Sequence, residues 1–242
     1  MKDIPATRPF TFILTTLLAM LIWSVPLHAG PSSPGRSIVL AAAQNAQNTD
    51  ASADSGTSPS ATNPPPRELV DALQGALMAA MKEGDKLNYR QRYDRLSPVI
   101  TRSLDLEFIA RLSISKQWKD LSDEQRRRFQ DTFKRLSIGT YAANFKEYEG
   151  ETWQVVSDRK MPRGRVLVRS VLQLPKEKPR TFDYVLRQHK GQWRIINILV
   201  DGVSDLALKH AEYGKVMKAE GFDALIAKLD EKIAANERSD QP

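Results

Sequence analysis

Cysteine is absent from the sequence, so no disulfide framework and no cysteine-based metal site can form. Histidine is nearly absent: His28, His189 and His210 are the three copies. His189 and His210 stand far apart, without the H-x-x-x-H spacing of a histidine metal site, and nothing in the spacing supports a carboxylate-only one. The chain has no G-x-x-x-x-G-K-[ST] phosphate loop and no G-x-G-x-x-G fingerprint, which removes two common nucleotide-binding signatures. Acidic residues are scattered rather than clustered.

What the chain does have is a graded organisation along its 242 residues. Lys2 and Arg8 precede FTFILTTLLAMLIWSV, residues 10–25. This is a charged segment and an apolar run of signal-peptide length, slightly short for a membrane span. Leu27-His28-Ala29 supplies a cleavage site, so residues 1–29 are expected to direct export. An uncleaved N-terminal anchor is the alternative. Residues 30–66 are rich in Ser, Ala, Asn and Pro, with few large apolar side chains. Such a segment buries too little surface to offset its ordering entropy, so it reads as a disordered spacer. Residues 67–236 form the expected domain, long enough for one real core, and 237–242 a disordered tail. Net charge is +7, of which the first 29 residues hold only +1, from Lys2 and Arg8 against Asp3. The exported part is therefore basic, which suits acidic partners or anionic lipid, while export argues against nucleic acid.

Within the domain, Leu69, Leu73, Leu77 and Met81 recur at helical spacing between Pro66 and Gly84. Asn88 opens a second short helix, expected to break before Pro98. Asp105 caps a third, with Leu106, Ile109 and Leu112 facing inward. Ser122 and Gln125 make a capping box for the clearest helix, whose stripe is Phe129, Phe133, Leu136, Thr140 and Tyr141. The period then changes to 2. TWQVVSD, GRVLVRSVLQL, TFDYVLRQ and QWRIINILV predict four strands, and their short links predict an antiparallel meander. In the last strand, strict alternation sets Trp193, Ile195, Asn197 and Leu199 against Arg194, Ile196, Ile198 and Val200. Helical spacing returns after Gly202. The order of helices, four strands, helices predicts an α+β fold, with helices packed on a curved antiparallel sheet.

Catalytic readings are weak. Gly202-Val203-Ser204 begins a G-x-S-x-G elbow, but Leu206 occupies the second glycine position, and the strand ends a meander instead of a parallel unit. Ser204 reads better as a helix cap. Asp183, within the third strand, could act as a general base beside a cavity, but a solvent-facing partner of Arg or Lys is the simpler reading. Arg126-Arg127-Arg128 on a helix reads as a solvated face.

Taken together, D-L-E-F-I-A at 105–110, Trp118, L-S-D-E-Q at 121–125, F-D-Y-V-L at 182–186, G-Q-W-R-I-I-N-I-L-V-D-G-V-S at 191–204 and G-F-D-A-L-I-A-K-L at 221–229 resemble the MlaC family. That family is the periplasmic phospholipid-binding component of the Mla and toluene-tolerance transport systems, and the similarity covers about residues 68–235. The chain departs from the family in its long spacer and in Asn197, where aspartate is common; the HpnM branch associated with hopanoid biosynthesis is one placement. The resemblance implies a monomeric, non-catalytic carrier without cofactor, whose cargo is a phospholipid or a hopanoid-type lipid. Implied partners are an inner-membrane ABC-type lipid transporter or RND-type exporter and an outer-membrane lipoprotein complex, serving outer-membrane lipid asymmetry. Its acyl-chain cavity would lie between sheet and helices. The wall residues expected on that basis are Phe108, Ile109, Leu112, Phe133, Leu136, Tyr141, Val166, Val168, Tyr184, Leu186, Ile195 and Val200, with a basic rim. Two other classes stay open: an envelope adaptor without lipid, and a small cone-shaped α+β enzyme using Asp183 or His189.

Overall fold

A computed structural model describes residues 63–240; the expected signal peptide and most of the spacer lie outside them. The described residues hold six α-helices and a five-stranded sheet. The helices are α1 (Pro66–Lys82), α2 (Tyr89–Ser103), α3 (Leu106–Ser113), α4 (Asp123–Asn144), α5 (Asp205–Ala219) and α6 (Phe222–Glu237). The strands are β1 (Thr152–Met161), β2 (Arg165–Gln173), β3 (Arg180–His189), β4 (Gln192–Val200) and β5 (Val203–Ser204). All neighbours are antiparallel, in the order β1-β2-β3-β4-β5. The architecture is α+β.

The helices begin where side chains satisfy orphan amides. Asn88 and Gln91 close a capping box on α2, and Ser122 and Gln125 close one on α4. Asp105 Oδ1 accepts the Phe108 amide at the start of α3. Helix α2 is not broken at Pro98 but runs through it to Ser103. Pro98 is exposed, so the carbonyl left without an amide partner can be hydrated, while buried Leu96 and Ile100 hold the helix on either side. Gly84, after α1, does more than stop a helix. A Cβ there would fall 1.6 Å from the Lys146 carbonyl oxygen, so only glycine permits this approach of the α1 end to the segment after α4.

The turns follow from local chemistry. Asp201 and Gly202 both take positive φ, 50° and 85°, a primed two-residue turn that pairs Val200 with Val203. Asp201 Oδ1 accepts the Thr181 amide at 2.9 Å, and its carboxylate pairs with Arg180 at 2.6 Å. This fastens the corner to β3.

The inner sheet face carries Val168, Ser170 and Leu172 from β2 and Phe182, Tyr184 and Leu186 from β3. Strict alternation fails in β4. The register with β3 slips between Val185 and Leu186, so Ile196 is an extra, bulged residue. Ile195 pairs with Leu186, whereas Ile198 pairs with Tyr184 and Val200 with Phe182. The bulge thus returns Ile198 and Val200 to the face that Ile195 occupies, contrary to the simple period-2 reading.

Ser239 and Asp240, the last of the described residues, are tied to the helices. Fully buried Arg92 donates to the Ala142 carbonyl at 2.8 Å and pairs with Asp240 at 2.6 Å. Lys146 donates to the Ser239 carbonyl at 2.9 Å. At the other end, Asn63 Oδ1 accepts the Trp193 amide at 2.9 Å. No helix of the described residues is long and apolar enough to cross a membrane.

Candidate functional site

A cavity of about 150 Å³ lies between the inner sheet face and helices α1, α3, α4 and α5. Its walls are mainly apolar. Leu104, Leu106 and Ile109 close one end, and all three are buried. Phe133, Leu136 and Tyr141 project from α4, the stripe legible in sequence. Phe182, Tyr184, Ile198 and Val200 form the sheet wall, completed by Trp153, whose ring meets Phe182 edge-on at 4.5 Å. Exposure rises toward β5, where Val203 is 43% exposed. The cavity is therefore closed at α3 and open where the last strand turns into α5.

Part of its polarity is balanced by hydrogen bonds. Gln74 Nε2 donates to Ser170 Oγ at 2.7 Å and to the Tyr184 hydroxyl at 3.1 Å. Burial pushes the Tyr184 phenol well above its usual range, and the hydrogen bonds to Gln74 and Ser170 offset only part of this. Tyr141 is raised chiefly by burial and further by Tyr184 and Asp205. Tyr213 is raised by burial, then by Glu212 and Asp205. These phenols stay neutral, so the cavity carries no buried charge from them.

Charge enters only from α5 and α6. Asp205, Lys209 and Glu212 follow one another along α5, and Lys232 reaches in from α6. Lys209 pairs with Asp205, and Lys232 pairs with Glu212 at 2.5 Å. The expected basic rim is thus two lysines matched by two carboxylates. The excess cations sit elsewhere. Arg159, Lys160, Arg163, Arg165 and Lys190 cluster on the β1–β2 and β3–β4 hairpins, at the opposite end of the sheet.

Of the wall residues expected from sequence, Ile109, Phe133, Leu136, Tyr141, Tyr184 and Val200 line the cavity. The others do not. Val168, Leu186 and Ile195 are buried on the correct sheet face, and half-buried Val166 packs beside them. They occupy the half of the sheet where α2 and α3 pack directly on it, so that half is filled. Phe108 and Leu112 lie off the inner stripe of α3, one turn apart and half-buried. Arg187 stacks over the Phe108 ring at 3.6 Å while also pairing with Asp105 at 2.7 Å. Leu73, Leu77, Phe182 and Ile198 were not anticipated as wall residues, because a stripe or face shows which way a side chain points but not where packing leaves space.

The catalytic candidates are otherwise engaged. Asp183 points to the outer face and takes two bonds from Arg169, both at 2.7 Å. His189 is exposed at a hairpin end. Ser204 caps α5, accepting the Ala207 amide at 3.1 Å, and bonds with the Asn197 side chain at 3.0 Å. Arg127 and Arg128 are exposed, and Arg128 pairs with Asp223 at 3.0 Å. Among the described residues, no three His, Cys, Asp or Glu side chains group to hold a metal.

The MlaC protein family matches residues 71–231, which include every cavity-lining residue except Lys232. The chain belongs to the MlaC family. Membership makes it a binding protein, not an enzyme. It is 24% identical over 162 residues to toluene tolerance protein ttg2D of Pseudomonas putida, covering 65% of this chain and 75% of that one. Its fold matches a phospholipid-binding protein from Ralstonia solanacearum solved in complex with a phospholipid. There the TM-score is 0.62 with 22% sequence identity, covering 70% of this chain and 97% of the other.

Proposed function

We propose that this protein is a periplasmic lipid carrier that takes up a diacyl phospholipid, or a hopanoid-type lipid, and moves it between the inner and outer membranes. The observation that carries the reading is the apolar cavity between α4, α5 and the sheet, closed at Ile109 and open beside Val203. Each methylene transferred there from water contributes about 0.8 kcal/mol. The name of the Pseudomonas relative and the phospholipid in the Ralstonia protein support the same cargo class. Export by the N-terminal segment would place the carrier in the periplasm. An inner-membrane transporter would load or unload it, and an outer-membrane lipoprotein complex would be the other station.

The cavity volume sets a condition on this mechanism. At about 150 Å³ it is smaller than the roughly 300–1,000 Å³ of ordinary ligand pockets. Loading acyl chains requires a wall to move outward. Helix α5 is the wall least held by packing, with Tyr213 as its one fully buried side chain. The small volume also favours a second reading, an envelope adaptor that binds protein and no lipid. Transfer of fluorescent phospholipid from donor vesicles to the protein separates the two. Saturable one-to-one uptake is expected of the carrier, and its absence leaves the adaptor.

A further inference from the structure

Two hydrogen-bond donors on the cavity wall have nothing to donate to. The Trp153 indole Nε1 and the Asn144 Nδ2 are enclosed and unpartnered among the described residues. Polar neighbours on the same wall differ. Ser137 Oγ donates to the Phe133 carbonyl at 2.7 Å, and Thr140 Oγ1 to the Leu136 carbonyl at 2.8 Å. The Tyr184 hydroxyl accepts from Gln74, and the Asn197 amide is closed onto Ser204. Enclosed donors are normally paired because desolvating an N–H without a new acceptor is unfavourable. Two exceptions on one apolar cavity point to a ligand that supplies the acceptors.

The topology brings the two donors to one end of the cavity. Asn144 is the last residue of α4 and Trp153 the second of β1, joined by the short segment 145–151. The Trp153 ring packs on Phe182, Phe182 pairs with Val200, and Val200 pairs with Val203. This is the open end. Just past it, at the start of α5, stands the charged pair of Asp205 with Lys209. Behind it, the wall toward Leu104, Leu106 and Ile109 is mainly apolar, and the hydroxyls of Ser137, Thr140 and Tyr184 on it are already hydrogen-bonded.

An acceptor suited to this place is uncharged, since an anionic group would gain more at Lys209 or Lys232. It sits where a ligand passes from a wet, charged end to a hydrocarbon end. The ester carbonyl at the head of an acyl chain meets both conditions. An ether oxygen is a weaker and more hindered acceptor, and a polycyclic hydrocarbon has none. We propose that Trp153 Nε1 and Asn144 Nδ2 form a subsite for the ester carbonyls of a diacylglycerol-based lipid. Acyl chains extend from this subsite toward Ile109, and the headgroup extends past Val203. The assignment rests on the lipid-carrier reading and narrows its cargo to ester-linked lipid.

The test is competitive uptake by the purified chain from vesicles holding diester and diether phosphatidylethanolamine with identical chains. The unaltered protein is expected to favour the diester about 5- to 10-fold, the worth of one or two modest hydrogen bonds. Trp153→Phe keeps a ring against Phe182 but removes the donor, and is expected to lower the preference to about 2-fold. Adding Asn144→Leu is expected to abolish it. Equal uptake of both lipids by the unaltered protein overturns the subsite and leaves the carrier reading standing. A preference that survives in a folded double variant also overturns the subsite. Uptake of neither lipid overturns both. The ratio for the unaltered protein decides the matter even if the double variant fails to fold.

Discussion

Ser204 and Asn197 face each other across the turn from β4 to β5 and bond side chain to side chain, at 3.0 Å from Asn197 Nδ2 to Ser204 Oγ. Each also accepts an amide from the first turn of α5. Asn197 Oδ1 takes Leu206 at 3.2 Å and Ser204 Oγ takes Ala207 at 3.1 Å. The pair fixes how the helix over the cavity leaves the sheet. Ser204→Ala is expected to cost about 1 kcal/mol, the usual worth of an N-cap. Thermal melting should register a fall of about 2–4 °C. A catalytic serine would instead show lost turnover at unchanged stability.

Filling the cavity should separate binding from folding. Val200 is half-buried on the sheet wall, opposite Phe182 in register. Val200→Trp places an indole in the space a lipid would need. Vesicle uptake is expected to fall at least about 10-fold, while overpacking costs no more than about 1–3 kcal/mol in chemical denaturation.

Arg169 and Asp183 provide a contrasting site on the outer face. Asp183 is buried, 7% exposed, whereas the Arg169 side chain is about half exposed. Asp183→Asn is expected to cost about 1–2 kcal/mol in urea unfolding, since one member of the pair remains hydrated. Lipid uptake should be unchanged, because the pair lies across the sheet from the cavity.

The tyrosines set an alkaline limit. Burial raises Tyr89 to about 12 and raises Tyr141, Tyr184 and Tyr213 further. Unfolded tyrosine ionises near pH 10, so above that pH the unfolded chain binds fewer protons than the folded one. Stability is therefore full below about pH 10 and declines as pH rises toward the folded values. Melting temperatures measured from pH 8 to 11 should drop beyond pH 10, and Tyr213→Phe should make that drop shallower.

The order of helices and strands was legible because capping residues, turn dipeptides and changes of period are local signals. Ser122 with Gln125, Asp105, and Asp201-Gly202 each do in the fold what their chemistry implies. The cavity was half legible. Phe133, Leu136 and Tyr141 stand on one helical stripe, and that stripe faces the space. Ile195 and Leu186 have the same composition and the same facing, yet lie where helices fill the sheet. The bulge at Ile196 left no mark in the sequence, and it decides that Ile198 and Val200 face inward. The basic rim was expected from net charge, which does not show that Lys209 and Lys232 meet carboxylates on α5. Trp153 is one more aromatic in a strand run, and only the packing around it shows its indole donor unpaired.

The central claim is that the cavity holds lipid. Native mass spectrometry of the protein purified gently from the cell envelope tests it most directly. One diacyl phospholipid per chain is predicted, released by collisional activation and absent from the Val200→Trp variant. Lipid-free protein that also takes up no lipid from vesicles would contradict the account.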